Sequence, residues 1–163
     1  MPIDPRACLS VDSDIDLHNP DQRSELTGTH GAVLAVIAVG GALGALARYG
    51  LTLAWPAPAG AFPWAVFTIN VAGSFLLGVL MVVITEIRPA HPLVRPFLGV
   101  GILGGFTTFS TYAEDIRALL DSDTVVIAAA YLVATLVVAL VATTAAVMLT
   151  RAAARFVRVE VAS

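Results

Sequence analysis

The apolar positions divide the chain into four long stretches without charge, separated by short polar punctuation. Residues 32–47 carry no charge, and the apolar pattern resumes past Arg48 to about Leu53. Residues 62–85, 96–113 and 124–150 are uncharged over 24, 18 and 27 positions. A helix needs about 20 mainly apolar residues to cross a bilayer, so each stretch is predicted to span. The connectors are short and read "WPAPAGAF", "EIRPAHP" and "LDSDT". Proline and glycine punctuate the first two. The pattern predicts an all-α, multi-pass membrane protein of four transmembrane helices, with no room for a soluble catalytic domain.

Composition agrees with the pattern. The 163 residues are 58% hydrophobic and 13% charged, against about 45–50% and 25% in soluble domains. There are nine arginines, no lysine and twelve acids. Asp4, Asp12, Asp14, Asp16, Asp21 and Glu25 precede residue 30, opposed only by Arg6 and Arg23, so residues 1–29 carry −4 and the remainder +1. That tail lacks the basic start and hydrophobic run of a signal peptide, and it is predicted to be a disordered acidic extension. The transmembrane domain is expected over 30–151, with a short C-terminal tail over 152–163. No basic run points to nucleic acid. Cys8 is the lone cysteine and lies in the tail, which excludes an intramolecular disulfide. His18, His30 and His91 have no metal-ligand spacing, and no nucleophile–base set argues for an enzyme.

Gly99 to Gly104 spell G-x-G-x-x-G, a dinucleotide fingerprint on paper. That motif needs a preceding strand and a following helix, and here it lies inside a membrane span. Close helix approach is the better reading for such glycines, as in Gly40-x-x-x-Gly44 and Gly101-x-x-x-Gly105.

Polar side chains inside the spans carry more information. Asn70 lies roughly 12 Å into the second span at 1.5 Å per residue, where hydrocarbon cannot satisfy an amide. An interhelical packing bond and a donor facing an ion pathway explain it equally well. In the third span, "FTTFSTY" sets Phe106, Phe109 and Tyr112 three residues apart, with Thr107, Thr108, Ser110 and Thr111 between them. The Gly104-Gly105 pair and the hydroxyls that follow weaken the helix there. A break near Gly104–Thr107 frees backbone carbonyls, which is tolerated only inside protein or along a watery cavity.

The segments "GGALGALARYG" at 40–50, "TINVAGSFLLG" at 68–78 and "GGFTTFSTYAED" at 104–115 stand in order on three successive spans. Together they resemble the Fluc, or CrcB-like, family of fluoride channels, over about residues 34–150. The resemblance implies an antiparallel, dual-topology homodimer in the cell membrane, passing fluoride out of the cytoplasm. It implies a structural sodium ion at the dimer centre, held by backbone carbonyls of Gly104 and Thr107 from both subunits. Its pore amide falls on Asn70, and its pair of rings on Phe109 and Tyr112, with Ser110 and Thr111 on the same pore segment. Phenylalanine is usual in the family where this chain has Tyr112, whose hydroxyl would either donate to fluoride or restrain the ring. A polar track on the fourth span matches Tyr131, Thr135 and Thr143, interrupted by Ala139. Arg48 matches a vestibule arginine that concentrates anions.

Two other classes fit the residues less well. A small proton-coupled multidrug-type exporter needs an ionisable group deep in the membrane, whereas Glu86, Glu114 and Asp115 flank spans. A non-transporting assembly subunit would leave Asn70 and the broken helix without a purpose. The arginine distribution bears on assembly. Arg23, Arg88, Arg95, Arg151, Arg155 and Arg158 share one face against Arg48 and Arg117 on the other, six to two. Such a bias favours one orientation, and with it a heterodimer with a sister chain as the alternative to the homodimer.

Overall fold

A computed structural model describes residues 31–87 and 90–162, with side chains to residue 156. The acidic tail, with Cys8, His18 and His30, lies outside the described residues, as do Arg88 and the Arg158 side chain. The described residues are helical, without strands. Helix α1 is Gly31–Ala54. Helix α2 is Trp64–Val82, continued by one wide π-type turn over Val83–Ile87. Helix α3 has π-type turns over Arg95–Leu103 and closes to a single α turn at Gly104–Phe106. Helix α4 is Ser110–Asp121 and α5 is Val125–Ala162, so the residues expected as a C-terminal tail continue the helix.

Among the described residues, three helices are long and apolar enough to cross a membrane: Gly31–Ala54, Trp64–Ile87 and Val125–Phe156. The remaining predicted span, 96–113, is divided between α3 and α4, and each piece is shorter than a crossing helix. The ends of the long helices fit their setting. Trp55 and Trp64 flank the first connector, each half-exposed, where amphipathic indole rings suit the lipid–water interface. Gly60 turns that connector with φ at +74°.

Lipid gives helices no hydrophobic reason to associate, so close backbone packing must do it. Helix α1 packs on α3, and α2 packs on α5. A Cβ built on Gly40 would lie 2.6 Å from the Phe97 carbonyl oxygen, and one on Gly101 would lie 3.0 Å from the Gly40 Cα. A side chain on Gly44 would run into the Ile102 carbonyl, and one on Gly105 into that of Gly41. Both G-x-x-x-G segments therefore meet in one seam, as the packing reading expects. On the other pair, a Cβ on Gly78 would lie 2.8 Å from the Thr143 carbonyl oxygen. Away from this seam, a small core of Val66, Tyr112, Leu119, Ala128 and Tyr131 joins α2, α4 and α5, with Phe62 and Phe67 against it.

Gly44→Ala must push α1 off α3, and overpacking of this kind costs about 1–3 kcal/mol. Gly50 has open space around a built Cβ. Thermal unfolding in detergent should therefore show a lowered midpoint for Gly44→Ala and an unchanged or raised one for Gly50→Ala. Equal midpoints would remove the seam as a source of stability.

Candidate functional site: an uncharged groove beside an interrupted helix

Helical conformation stops after Phe106. Thr107 is extended, with φ −76° and ψ 156°, and the helix resumes at Ser110. The hydrogen bonds around this gap explain how it survives. In an uninterrupted helix the Thr108 N–H would bond the Gly104 carbonyl. Here it donates to Asn70 Oδ1 at 2.9 Å. Asn70 Nδ2 in turn donates to the Thr108 carbonyl at 3.0 Å. One amide thus serves both the N–H and the carbonyl of one residue, which belong to successive peptide groups, and one Nδ2 hydrogen remains.

The same diversion occurs one turn later. The Thr111 N–H, which continuity would give to the Thr107 carbonyl, donates to Thr108 Oγ1 at 3.2 Å. That hydroxyl acts as a cap for α4 and itself donates to Thr111 Oγ1 at 3.1 Å. Ser110 Oγ lies 3.3 Å from it. The two carbonyls whose helical donors are taken elsewhere are those of Gly104 and Thr107. Between them, the Gly105 carbonyl accepts from Arg48 Nε at 3.2 Å. Arg48 reaches it because the glycine seam holds α1 against α3.

The gap opens on a groove of 510 Å³ between α2, α3 and α5. Of the residues singled out from the sequence, Asn70, Gly104, Thr107, Phe109, Tyr112, Thr135 and Thr143 line it, together with Ala139. Ser110, Thr111, Tyr131 and Arg48 do not. Thr111 lies on a smaller cavity of 200 Å³ under the first connector, beside Thr52 and Asp115. Ser74 and Thr108 also line the groove, and neither was picked out for it from the sequence. Ser74 stands four residues after Asn70, so its place on the same helical face was a usable signal.

The rings differ in their freedom. Phe109 is 77% exposed, with its centroid 5.9 Å from that of Tyr112. Tyr112 is buried, and its hydroxyl donates to the Leu132 carbonyl of α5 at 2.8 Å. Of the two roles left open for that hydroxyl, restraint of the ring is the one with a partner here. On α5, Tyr131 is fully buried rather than in the groove, and its hydroxyl donates to Asp115 Oδ2 at 3.1 Å. Thr143 Oγ1 lies 3.0 Å from the Ala139 carbonyl and 3.1 Å from that of Ser74. Thr135 is only 5% exposed, and its hydroxyl has no hydrogen-bond partner within the protein. A buried hydroxyl without a partner costs free energy, and this one sits on the groove wall.

With three described helices long and apolar enough to cross a membrane, and a groove whose lining holds no charged side chain, the chain is a multi-pass membrane protein. The family model of the CrcB-like proteins (Camphor Resistance, CrcB) matches residues 35–147, and the chain belongs to that family. It is similar to the fluoride-specific ion channel FluC 1 of Streptomyces coelicolor, 57% identical over 114 residues that cover 70% of this chain and 74% of that protein. It is 53% identical to FluC 2 of Nocardia farcinica over 125 residues, 77% of this chain and 86% of the relative. A more distant likeness is to FluC of Saccharophagus degradans, 46% identical over 114 residues, 70% of this chain and 86% of the relative.

Proposed function

We propose that this chain is a passive, fluoride-selective channel of the cell membrane, through which cytoplasmic fluoride leaves. The observation that carries the reading is the groove in which the Asn70 amide, the Phe109 and Tyr112 rings and the unpartnered Thr135 hydroxyl converge without a formal charge. The remaining Nδ2 hydrogen of Asn70, the electropositive ring edges and the Thr135 hydroxyl can replace water around a small anion. A full positive charge there would hold fluoride too firmly for rapid transit. Arg48, engaged with the Gly105 carbonyl, would raise the local anion concentration at the mouth. Fluoride enters as neutral hydrogen fluoride and dissociates inside, so a negative membrane potential suffices to drive its exit. The relatives' names support this reading over a proton-coupled exporter, whose required acid has no counterpart on the groove wall.

Fluoride release from liposomes, with chloride as control, tests it. Asn70→Asp keeps an acceptor for the Thr108 N–H, loses the donor and adds a negative charge. Flux should fall to background while the assembly persists on gel filtration. Phe109→Ala should lose most of its flux. Tyr112→Phe keeps the ring and should conduct, with about 1 kcal/mol lost from stability for the missing bond to Leu132. Release of neither ion by well-folded wild-type protein sinks the reading.

The partner in this reading is a second chain, antiparallel to the first, covering the exposed Phe109 and the open side of Gly104. A four-helix bundle per chain, with α3 and α4 together making the interrupted span, completes the assembly. The Gly104 and Thr107 carbonyls suit a hard cation that takes oxygen ligands, and a structural sodium ion there would offset their lost helical bonds. A ligand held only by the assembled state stabilises it by mass action. The melting temperature should rise with sodium relative to N-methylglucamine. An unchanged value over a wide sodium range argues against the ion.

A heterodimer is the second reading, favoured by the six-to-two arginine bias. Streptomyces avermitilis has relatives named FluC 2 and FluC 3, so more than one such chain occurs within one organism. Labelling a C-terminal cysteine in intact cells, after replacing Cys8, separates the two. Reaction of about half the chains supports dual insertion, and uniform protection supports a sister chain.

A further inference from the structure

A second polar cavity lies at the far end of the α2–α5 seam, away from the groove. It measures 460 Å³ and is lined by Val82, Glu86, Ile87, Arg151, Ala154 and Arg155. Arg151 is fixed in it. Its Nε lies 3.0 Å from both Glu86 carboxylate oxygens, and its Nη2 donates to Oε1 at 2.6 Å. That engagement leaves the Nη1 hydrogens and one Nη2 hydrogen of Arg151 without a place on the carboxylate. Arg155 follows at i+4 on the same face of α5, and no ion pair with another described residue is formed by it. Among the described residues of this cavity, two guanidinium groups thus face one carboxylate. Like charges four residues apart repel, and an added anion would relieve them.

Depth in the membrane narrows the anion's identity. The Val125–Phe156 span has 32 residues, about 48 Å at 1.5 Å per residue. A bilayer's hydrocarbon core is about 30 Å thick, and about 40–45 Å with its headgroups. The last turns of α5 therefore stand at the level of lipid phosphates, as does Glu86, one residue before the described end of α2. The cavity floor is apolar, made by Val82, Ile87 and Ala154. A guanidinium pair over an apolar floor matches a phosphate joined to a glycerol and its acyl chains.

We infer that this cavity binds a phosphate group, supplied by an anionic phospholipid, with Arg155 and the outer edge of Arg151 as its donors and Glu86 as the residue that orients Arg151. The site is separate from the groove and does not rest on fluoride conduction.

The test uses full-length protein in neutral detergent, titrated with phosphatidylglycerol, phosphatidylcholine or inorganic phosphate. Bound lipid is counted by native mass spectrometry and stability is followed by thermal melting. Wild-type protein should retain phosphatidylglycerol in preference to phosphatidylcholine and melt higher with it. Arg155→Gln should bind it about tenfold more weakly, as for loss of one charge-assisted bond. Ala154→Leu keeps both arginines and fills the floor, so it should lose the lipid as well, which guards against misreading a folding defect in either variant. Equal retention by wild type and both variants overturns the site. Equal protection by inorganic phosphate alone would make the occupant a free anion and overturn the lipid as its source.

Discussion

The two hydrogen bonds between the Asn70 amide and the backbone N–H and carbonyl of Thr108 are the constraint on which the rest of this structure depends. A residue whose backbone leaves the helical ladder inside a membrane has no water to turn to. Leaving its N–H and C=O unpaired would cost about 1–3 kcal/mol each. Asn70 is the one common uncharged side chain type, with Gln, that offers both a donor and an acceptor in a single plane. With it in place, the chain turns away from helix at Thr107, and the Gly104 carbonyl is released from its expected donor. The Thr108 hydroxyl then repeats the exchange at Thr111, restarting the helix as α4. An interruption of three residues is thereby tied by one polar partner from another helix, Asn70, and by one from within the segment, the Thr108 hydroxyl.

The glycine seam is the second support, and it acts at the level of backbone. Because Gly44 and Gly105 carry no side chains, α1 lies close enough for Arg48 to meet the Gly105 carbonyl. The interruption is therefore approached by α2 through an amide, by α1 through a guanidinium and by α5 through the bond from Tyr112 to Leu132. Ordinary helix propensity would not have selected so many glycines, since each weakens a helix by roughly 1 kcal/mol relative to alanine. Packing between apolar helices in lipid sets the choice instead.

Much of this was legible in the sequence, because membrane crossing imposes a coarse rule on composition. The apolar stretches at 32–53, 62–85 and 124–150 correspond to long helices. The fourth, 96–113, has the same apolar character, yet hydropathy does not report backbone conformation, so the wide π turns of Arg95–Leu103 had no visible signal. Asn70 stood out since an amide in hydrocarbon needs an explanation. Thr108 and Ser74 did not, because threonine and serine in membrane helices commonly bond their own backbone, and Thr143 does so here. Tyr131, matched by resemblance to a polar track with Thr135 and Thr143, has its ring in the core, where Phe62 and Tyr112 pack on it at 5.2 Å.

The anchoring of Tyr112 has a mechanical consequence. Its ring is gripped by the chain at one end and by the Leu132 carbonyl at the other, so it behaves as a stator. Phe109, exposed and without a polar tether, has no such second anchor. Of the two ring walls, the one that Tyr112 presents is therefore held at both ends and that of Phe109 at one.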